Sequence, residues 1–304
     1  MPRSMIFPAL LLLAAGAAAQ EQDFSQVEIK AEHVGGAVYI LTGAGGNIGL
    51  SVGPDGVLVV DDQFAPLVPR IRAAIAAITD RPVRFVLNTH WHFDHVGGNA
   101  ELGREATLIA HDNVRQRLAE GHPGILGRAF PPAPAEALPV ITFDHSLTFH
   151  FNGEAIRALH FPRGHTDGDS IVFFPRSNVV HMGDTFVTYG LPFVDVASGG
   201  SLLGMIENVE RAMGAVPDDV KVIPGHGPLS TKAEVLAYVE MLRDCVRLVR
   251  AAMAEGQTLQ QMQDGGVLAR YDHLGQGFIK TASFTRLIHD ELEAGRSDRP
   301  GQRH

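Results

Sequence analysis

Residues 88–99 read Asn-Thr-His-Trp-His-Phe-Asp-His-Val-Gly-Gly-Asn and follow an apolar run, Val83 to Leu87. Four potential metal ligands, His90, His92, Asp94 and His95, fall within six residues. In an extended chain His90 and His92 project to the same side, because side chains repeat every two residues. A helix would swing them apart, so this spacing points to a loop or strand end. Two converging imidazoles suit Zn²⁺, which takes nitrogen and oxygen ligands. Asp94 and His95 then face elsewhere and can serve a second ion close by. One chelating loop cannot fill two coordination shells. Three further points match it, each just after a β-type run and beside glycine. They are His165 in Gly-His-Thr-Asp-Gly, Asp184 in Gly-Asp-Thr-Phe and His226 in Pro-Gly-His-Gly-Pro. The glycines let the backbone turn sharply, so that one side chain projects into a cleft.

The order HxHxDH, GHT, GD, GHG resembles that of the metallo-β-lactamase superfamily, from about Val34 to the helix after His226. The resemblance implies a binuclear zinc site with two Zn²⁺ per chain. His90, His92 and His165 would hold the first ion, Asp94, His95 and His226 the second, and Asp184 would bridge both. Asp61, ending the run Val57 to Val60, stands where the family keeps an aspartate that braces the metal loop. Two Zn²⁺ against Asp94, Asp184 and one hydroxide leave a net positive centre, which favours an oxyanion. The implied enzyme is a zinc-dependent metallo-hydrolase. A metal-bound hydroxide would attack a carbonyl carbon, and Asp94 would act as the catalytic residue that orients it and passes a proton.

Within that family the most specific expectation is opening of a β-lactam ring. Against it, β-lactamases of the superfamily usually carry Cys or Ser where Asp184 stands, and residues 185–190 contain no Lys. The alternatives are a lactone or thioester hydrolase, a mononuclear iron sulfur dioxygenase using a subset of the ligands, and a non-catalytic zinc-binding protein. The expected partner is a small-molecule substrate. Nucleic acid is excluded as a partner because Lys+Arg number 25 against 34 Asp+Glu, with no basic cluster.

The elements that must position these residues follow from pattern. β-type runs at 27–34, 38–42, 47–52 and 56–61 precede a helix at 66–78 and a buried strand at 83–89. A strand at 107–110 leads to a helix at 112–119 capped by Asp112. Residues 121–137, rich in Pro and Gly, read as a long functional loop. Strands at 146–151 and 154–160 are joined by Asn152-Gly153, a strong hairpin signal. Strands at 170–174, 179–182 and 221–223 alternate with helices at 201–216, 231–255 and 279–294. Strands and helices thus occur twice in similar order. The expected fold class is α/β (α+β), a four-layer αββα sandwich of two mixed β-sheets flanked by helices.

Residues 1–19 carry a charged start, the apolar stretch 5–19 and an Ala-Ala-Ala end, the layout of a secretory signal peptide. Fifteen apolar residues including Pro8 and Gly16 are short for a membrane span, so no stable membrane insertion is expected after cleavage. Residues 20–304 then form a single hydrolase domain, secreted to a bacterial periplasm. That location weakens a glutathione thioesterase, whose substrate is mainly cytoplasmic. The single cysteine, Cys245, allows no intrachain disulfide and reads as a small buried hydrophobe.

The remaining residues get ordinary readings. His33, His111, His122, His145, His150, His160, His181, His273, His289 and His304 read as surface or core histidines. Asp167 and Asp169 read as turn formers, Trp91 and Phe93 as wall or core, and Tyr189 as packing. Arg243, Arg247 and Arg250 read as a solvated helix face. The turn 43–46 and the loop 121–137 are expected to flank the cleft.

Overall fold

The run Gly56–Val60 is buried at every position, as a strand covered on both faces must be. Val57 and Val59 point one way, Leu58 and Val60 the other. The first pair packs with Leu50, Val86 and Leu108 under the helix Val68–Ile78, which buries Val68, Ile71 and Ile75. The second pair meets Ile156, Val172 and Phe174 of another sheet. That sheet's outer face is covered by Leu202–Gly214, Lys232–Ala254 and Thr281–Ser297, through Met205, Val209, Leu242 and Phe284. The layers are therefore helix, sheet, sheet, helix, the αββα order expected. This computed structural model describes residues 23–125 and 128–297, so the expected leader 1–19 and His304 lie outside the described residues.

The first sheet runs Lys30–Gly35, Val38–Thr42, Ile48–Gly53, Gly56–Val60, Val83–Leu87, Thr107–His111, Ile141–Phe143. Its pairs are antiparallel as far as Gly56–Val60 and parallel beyond. The second sheet runs Ser146–Phe151, Glu154–His160, Ser170–Phe174, Val179–His181, Lys221–Ile223, Ser230–Thr231. Only Val179–His181 with Lys221–Ile223 is a parallel pair there. Asn152 and Gly153 take φ of 51° and 78° between the paired Phe151 and Glu154, the two-residue turn whose twist matches a hairpin.

Four strand ends deliver candidate site residues to one edge of the sandwich. Asp61 ends Gly56–Val60, the His90–His95 segment follows Val83–Leu87, Asp184 follows Val179–His181, and His226 follows Lys221–Ile223. All four are the carboxyl ends of parallel-paired strands, where α/β sheets place their ligands.

Three local expectations are corrected. The cap of Asp112–Glu120 is His111, not Asp112: its Nδ1 accepts from the Asn113 N–H at 3.1 Å. The span 121–137 is not one irregular loop but holds the paired strands His122–Ile125 and Arg128–Phe130 and the turn Ala135–Ala137. A helix absent from the sequence reading, Leu259–Asp264, starts with a capping box between Thr258 and Gln261.

Candidate active site

The strand Val83–Leu87 stops before Asn88, and the chain turns through His90 and His92 into a single helical turn, Phe93–Val96. The backbone can come this close to its neighbours because of two glycines. A Cβ on Gly46 would lie 2.2 Å from the His95 ring, and one on Gly225 would lie 2.0 Å from Asp184 Oδ1. The turn 43–46 thus packs directly on the metal-loop segment, with the Gly46 N–H donating to the Asp94 carbonyl at 3.0 Å.

Hydrogen bonds set the tautomer of four buried imidazoles. The Thr89 hydroxyl donates to Asp61 Oδ2 at 2.7 Å, so it can only accept from His90 Nδ1, 3.0 Å away. His90 Nε2 is left bare, buried and without a hydrogen-bond partner among the described residues. His95 Nδ1 donates to Asp61 Oδ2 at 2.8 Å, leaving its Nε2 to face Asp184 and His226. His165 Nδ1 donates to the Phe193 carbonyl at 2.8 Å, leaving its Nε2 bare. His92 is turned the other way: its Nε2 donates to Asp195 Oδ2 at 3.1 Å and its Nδ1 is bare.

These bare nitrogens converge. His165 Nε2 lies 2.8 Å from His92 Nδ1, and their two lone pairs repel unless a cation stands between them. His226 Nε2 lies 3.2 Å from both His95 Nε2 and Asp94 Oδ2. Asp184 sits between the groups, with Oδ1 3.2 Å from His95 and 3.5 Å from His226, and Oδ2 3.7 Å from His165. The structure therefore gathers all seven residues singled out in the sequence. The sets His90/His92/His165, Asp94/His95/His226 and His90/His95/Asp184 each bring their ligand atoms within 4.8 Å of one another. Tetrahedral ligands at the usual zinc–nitrogen length sit about 3.3 Å apart, in the middle of these separations. Five imidazoles, two carboxylates and no thiolate form a donor set that fits such an ion.

The electrostatics divide the cluster. Burial holds His90 well below the ordinary histidine pKa and takes His165 down to about 4, so both stay neutral with a free lone pair. In the other half burial works against charge, yet charge wins. His226 rises to about 9 beside Asp184 and Asp94, and His95 is raised by Asp184, Asp61 and Asp94. Asp184 is held well below the usual carboxylate range by His226 and His95 despite its burial. The negative field that draws protons onto these imidazoles is the field that would hold a cation.

A cavity of about 330 Å³ opens onto the cluster, walled by Phe93, Tyr189, Phe193, Gly277 and Phe278 and floored by His92, Asp94, Asp184 and His226. Tyr189 is 39% exposed and lies edge-on to the His226 ring at 5.6 Å. Neither flanking segment expected, 43–46 or 121–137, lines this cavity; Phe130 of the second stacks on the back of Phe93 at 5.0 Å. Trp91 is buried against Ala110 and Val114. Asp169 braces the turn after His165 by accepting from the Thr166 hydroxyl at 2.6 Å, and burial raises its pKa to about 7.

Sequence reasoning missed Asp195, Thr89 and Phe278. No spacing pointed to Asp195, which reaches His92 across 103 residues. Thr89 adjoins His90 and carried the one available hint, a hydroxyl inside the ligand motif.

The sequence profile of the metallo-beta-lactamase superfamily matches residues 41–240, which hold all seven site residues. The hydroxyacylglutathione hydrolase of Methylococcus capsulatus is 29% identical over 177 residues, 56% of this chain and 60% of that protein. That of Pelagibacter ubique is 25% identical over 146 residues, 47% of this chain and 52% of that protein. The chain thus spans between about half and three fifths of the length of these relatives. The solved metallo-beta-lactamase from Pontibacter korlensis superposes with a TM-score of 0.60 at 18% identity, covering 71% of this chain and 99% of that one. Profile, fold and ordered ligand set agree: the chain belongs to the metallo-beta-lactamase superfamily.

Proposed function

We propose that this metallo-hydrolase cleaves an acyl compound at its carbonyl carbon, with a thioester or a lactone as the substrate class, at a centre of two Zn²⁺. The observation that carries the reading is the convergence of five imidazoles and two carboxylates beneath one cavity, whose floor His92, Asp94, Asp184 and His226 form. His90, His92 and His165 would hold one ion, Asp94, His95 and His226 the other, with Asp184 between them. When bound, such ions bring the pKa of water to about 7 and act as Lewis acids toward a carbonyl oxygen.

The chain's own residues do the rest. Asp94 is kept ionised, because His95 and His226 outweigh its burial, so it orients the attacking water and accepts its proton. Phe93, Phe193 and Phe278 exclude solvent and hold the apolar part of the acyl group. Burial raises the Tyr189 pKa, so its hydroxyl remains a donor at the cavity mouth. Asp61 and Asp195 hold the tautomers of His95 and His92.

Two facts favour thioester or lactone over β-lactam. The relatives at 25 and 29% identity are named for hydrolysis of hydroxyacylglutathione, an acyl thioester. Among the described residues, no Lys or Arg lines the cavity to receive a β-lactam carboxylate. We infer a periplasmic location from the leader pattern of residues 1–19, and for an enzyme there a carrier other than glutathione, or a lactone, is the fitting substrate. β-Lactam opening is the second reading, favoured by the cavity volume, which reaches the range of drug-sized ligands.

One panel tests these readings. The zinc-loaded protein is assayed on an acyl thioester, a lactone and a chromogenic cephalosporin, with metal content measured and Asp94→Ala as control. Thioester or lactone turnover, lost in the variant, is the expected result. Turnover of the cephalosporin alone would shift the assignment to β-lactams. Two zinc ions with no turnover, or a single iron, would overturn the hydrolase.

A further inference from the structure

One wall of the cavity over the candidate metal cluster comes from outside the region shared with the superfamily. The profile match ends at residue 240, whereas Gly277 and Phe278 line the cavity from the segment 272–280. This segment is tied down along its length. The Asp272 carboxylate accepts from the Thr281 hydroxyl at 2.7 Å, and the Asp272 carbonyl accepts from the Gln276 side-chain amide at 2.8 Å. Thr281 opens the helix Thr281–Ser297, which is anchored by the buried Phe284 and Ile288. Between them, the Leu274 carbonyl accepts from the Leu191 N–H at 3.4 Å. It also comes so near Gly190 that a Cβ there would lie 2.4 Å from it, at a φ of 135° that suits glycine. The segment thus rests on the stretch that follows Asp184 and holds Phe278 in a set place. Phe278 is 54% exposed. A scattered exposed apolar residue needs no explanation, but this ring ends a series of contacts. It meets Phe193 edge-on at 5.9 Å, and Phe193 lies 5.8 Å from the His92 ring and 5.9 Å from the His165 ring. The Phe193 carbonyl accepts from His165 Nδ1, which fixes this middle residue to the ligand set. An aromatic path therefore runs from the candidate metal ligands to solvent. Charge faces the cavity only from its floor, Asp94, Asp184 and His226, and no Lys or Arg stands on the path among the described residues.

We infer that the segment 272–280 is a specificity element, and that the acyl group it selects is an uncharged alkyl chain of medium length. The chain runs from the metal cluster along Phe193 and covers the exposed face of Phe278. Each methylene buried on the way is worth about fourfold in kcat/KM. A carboxylate at the far end of the chain would leave water and find no partner on the path. The inference rests on the acyl-hydrolase reading and holds for a thioester or a lactone alike.

The zinc-loaded protein is assayed on acetyl, butanoyl, hexanoyl and octanoyl thioesters of N-acetylcysteamine. The adipoyl thioester, the hexanoyl compound with a carboxylate at its end, completes the series. The expected kcat/KM rises about fourfold per methylene, with adipoyl at least tenfold below hexanoyl. Phe278→Ala should cut the octanoyl-to-acetyl ratio of kcat/KM at least tenfold, the worth of about two methylenes. Phe278→Leu should keep most of that ratio, and Phe278→Arg should raise adipoyl relative to hexanoyl. A ring that only steadied the segment would lower all substrates together. A flat response to chain length overturns the inference, and so does an octanoyl-to-acetyl ratio that Phe278→Ala leaves unmoved. Calorimetry separates this result from the fate of the hydrolase reading. Methyl heptyl ketone and methyl propyl ketone bear the octanoyl and butanoyl groups but cannot be hydrolysed. Turnover of no acyl compound would sink the hydrolase reading, while tighter binding of the longer ketone, lost in Phe278→Ala, would still support the chain path. Equal binding of the two ketones overturns it.

Discussion

Asp61→Asn exchanges one oxygen for an amide nitrogen in a fully buried side chain and leaves its shape alone. The backbone tolerates the change, because the φ of 64° at this position lies in the left-handed region that Asn occupies as readily as Asp. The carboxylate has three donors facing it. The Thr89 backbone N–H meets Oδ1 at 2.7 Å, while the Thr89 hydroxyl and His95 Nδ1 meet Oδ2 at 2.7 and 2.8 Å. An amide in either orientation sets N–H against N–H. Placed at Oδ1, it opposes a backbone donor that cannot turn. Placed at Oδ2, it forces the His95 proton onto Nε2, the nitrogen that faces Asp184 and His226. A hydrogen bond to a charged group is worth about 1.5–3 kcal/mol. Loss of a carboxylate behind a ligating histidine costs about 10- to 100-fold in metal affinity, or about 1.4–2.8 kcal/mol. Two separate routes thus give the same range. On the proposed two-zinc reading, the ion that Asp94, His95 and His226 would hold takes the loss. The ion that His90 would share in holding is touched more weakly, through the Thr89 hydroxyl that accepts from His90. Competition against a chromogenic zinc chelator resolves the two binding steps. The expected result is one step weakened by 10- to 100-fold and the other nearly unmoved. Two steps at parent affinity in a folded Asp61→Asn protein would refute the tautomer argument.

Asp195→Ala removes the acceptor from His92 Nε2 and should weaken binding of the ion that His90, His92 and His165 would hold about 10- to 100-fold in the same competition. Acid should destabilise the fold through the stacked His111 and His160 rings, whose centroids lie 3.6 Å apart. Burial lowers both, His160 to about 4. The unfolded chain takes up these protons first, near pH 6.5, so stability is full above that pH and falls as the pH drops towards 4. Urea midpoints at pH 7.5 and pH 5 should show the decline, and His160→Gln should lessen it. Cys245 is fully buried and its thiol is pushed up to about 12, so a thiol reagent should find no reactive group in the native protein and one after denaturation.

The candidate metal ligands were legible because their chemistry constrains the chain locally. A two-residue spacing, a strand before it and a glycine beside it are all features of neighbouring positions. The hairpin of Ser146–Phe151 and Glu154–His160 was legible to the residue for the same reason, since its turn dipeptide dictates the register. The helix after Thr107–His111 was found but its cap was misread, because an imidazole rarely fills a place that Asp, Asn, Ser or Thr ordinarily take. His122–Ile125 reads His-Pro-Gly-Ile and Arg128–Phe130 is three residues long, so neither showed the alternation by which a strand is recognised. Phe278 was lost in a run of turns before the last helix, where no pattern separates a cavity wall from a loop.

What stayed hidden follows from where the cluster lies. His90, His92, Asp94 and His95 belong to the first sheet's edge, while His165, Asp184 and His226 belong to the second's. The site therefore exists only when the two sheets dock. Their docking is set by the inward-facing half of each strand, Leu58, Val60 and Leu87 against Ile156, Val172 and Ile223. Polar contacts then fix the register of the two edges. Asn47, from the first sheet, donates to the carbonyls of Pro224 and Gly227 on either side of His226, at 2.9 and 2.8 Å. The Ser170 N–H, from the second, donates to the Thr89 carbonyl at 2.8 Å. Asn47 carries no signature of its own in the sequence, yet it decides where His226 stands relative to His95. A ligand announces itself by its type, whereas a residue that aims a ligand is ordinary in type and special only in partner.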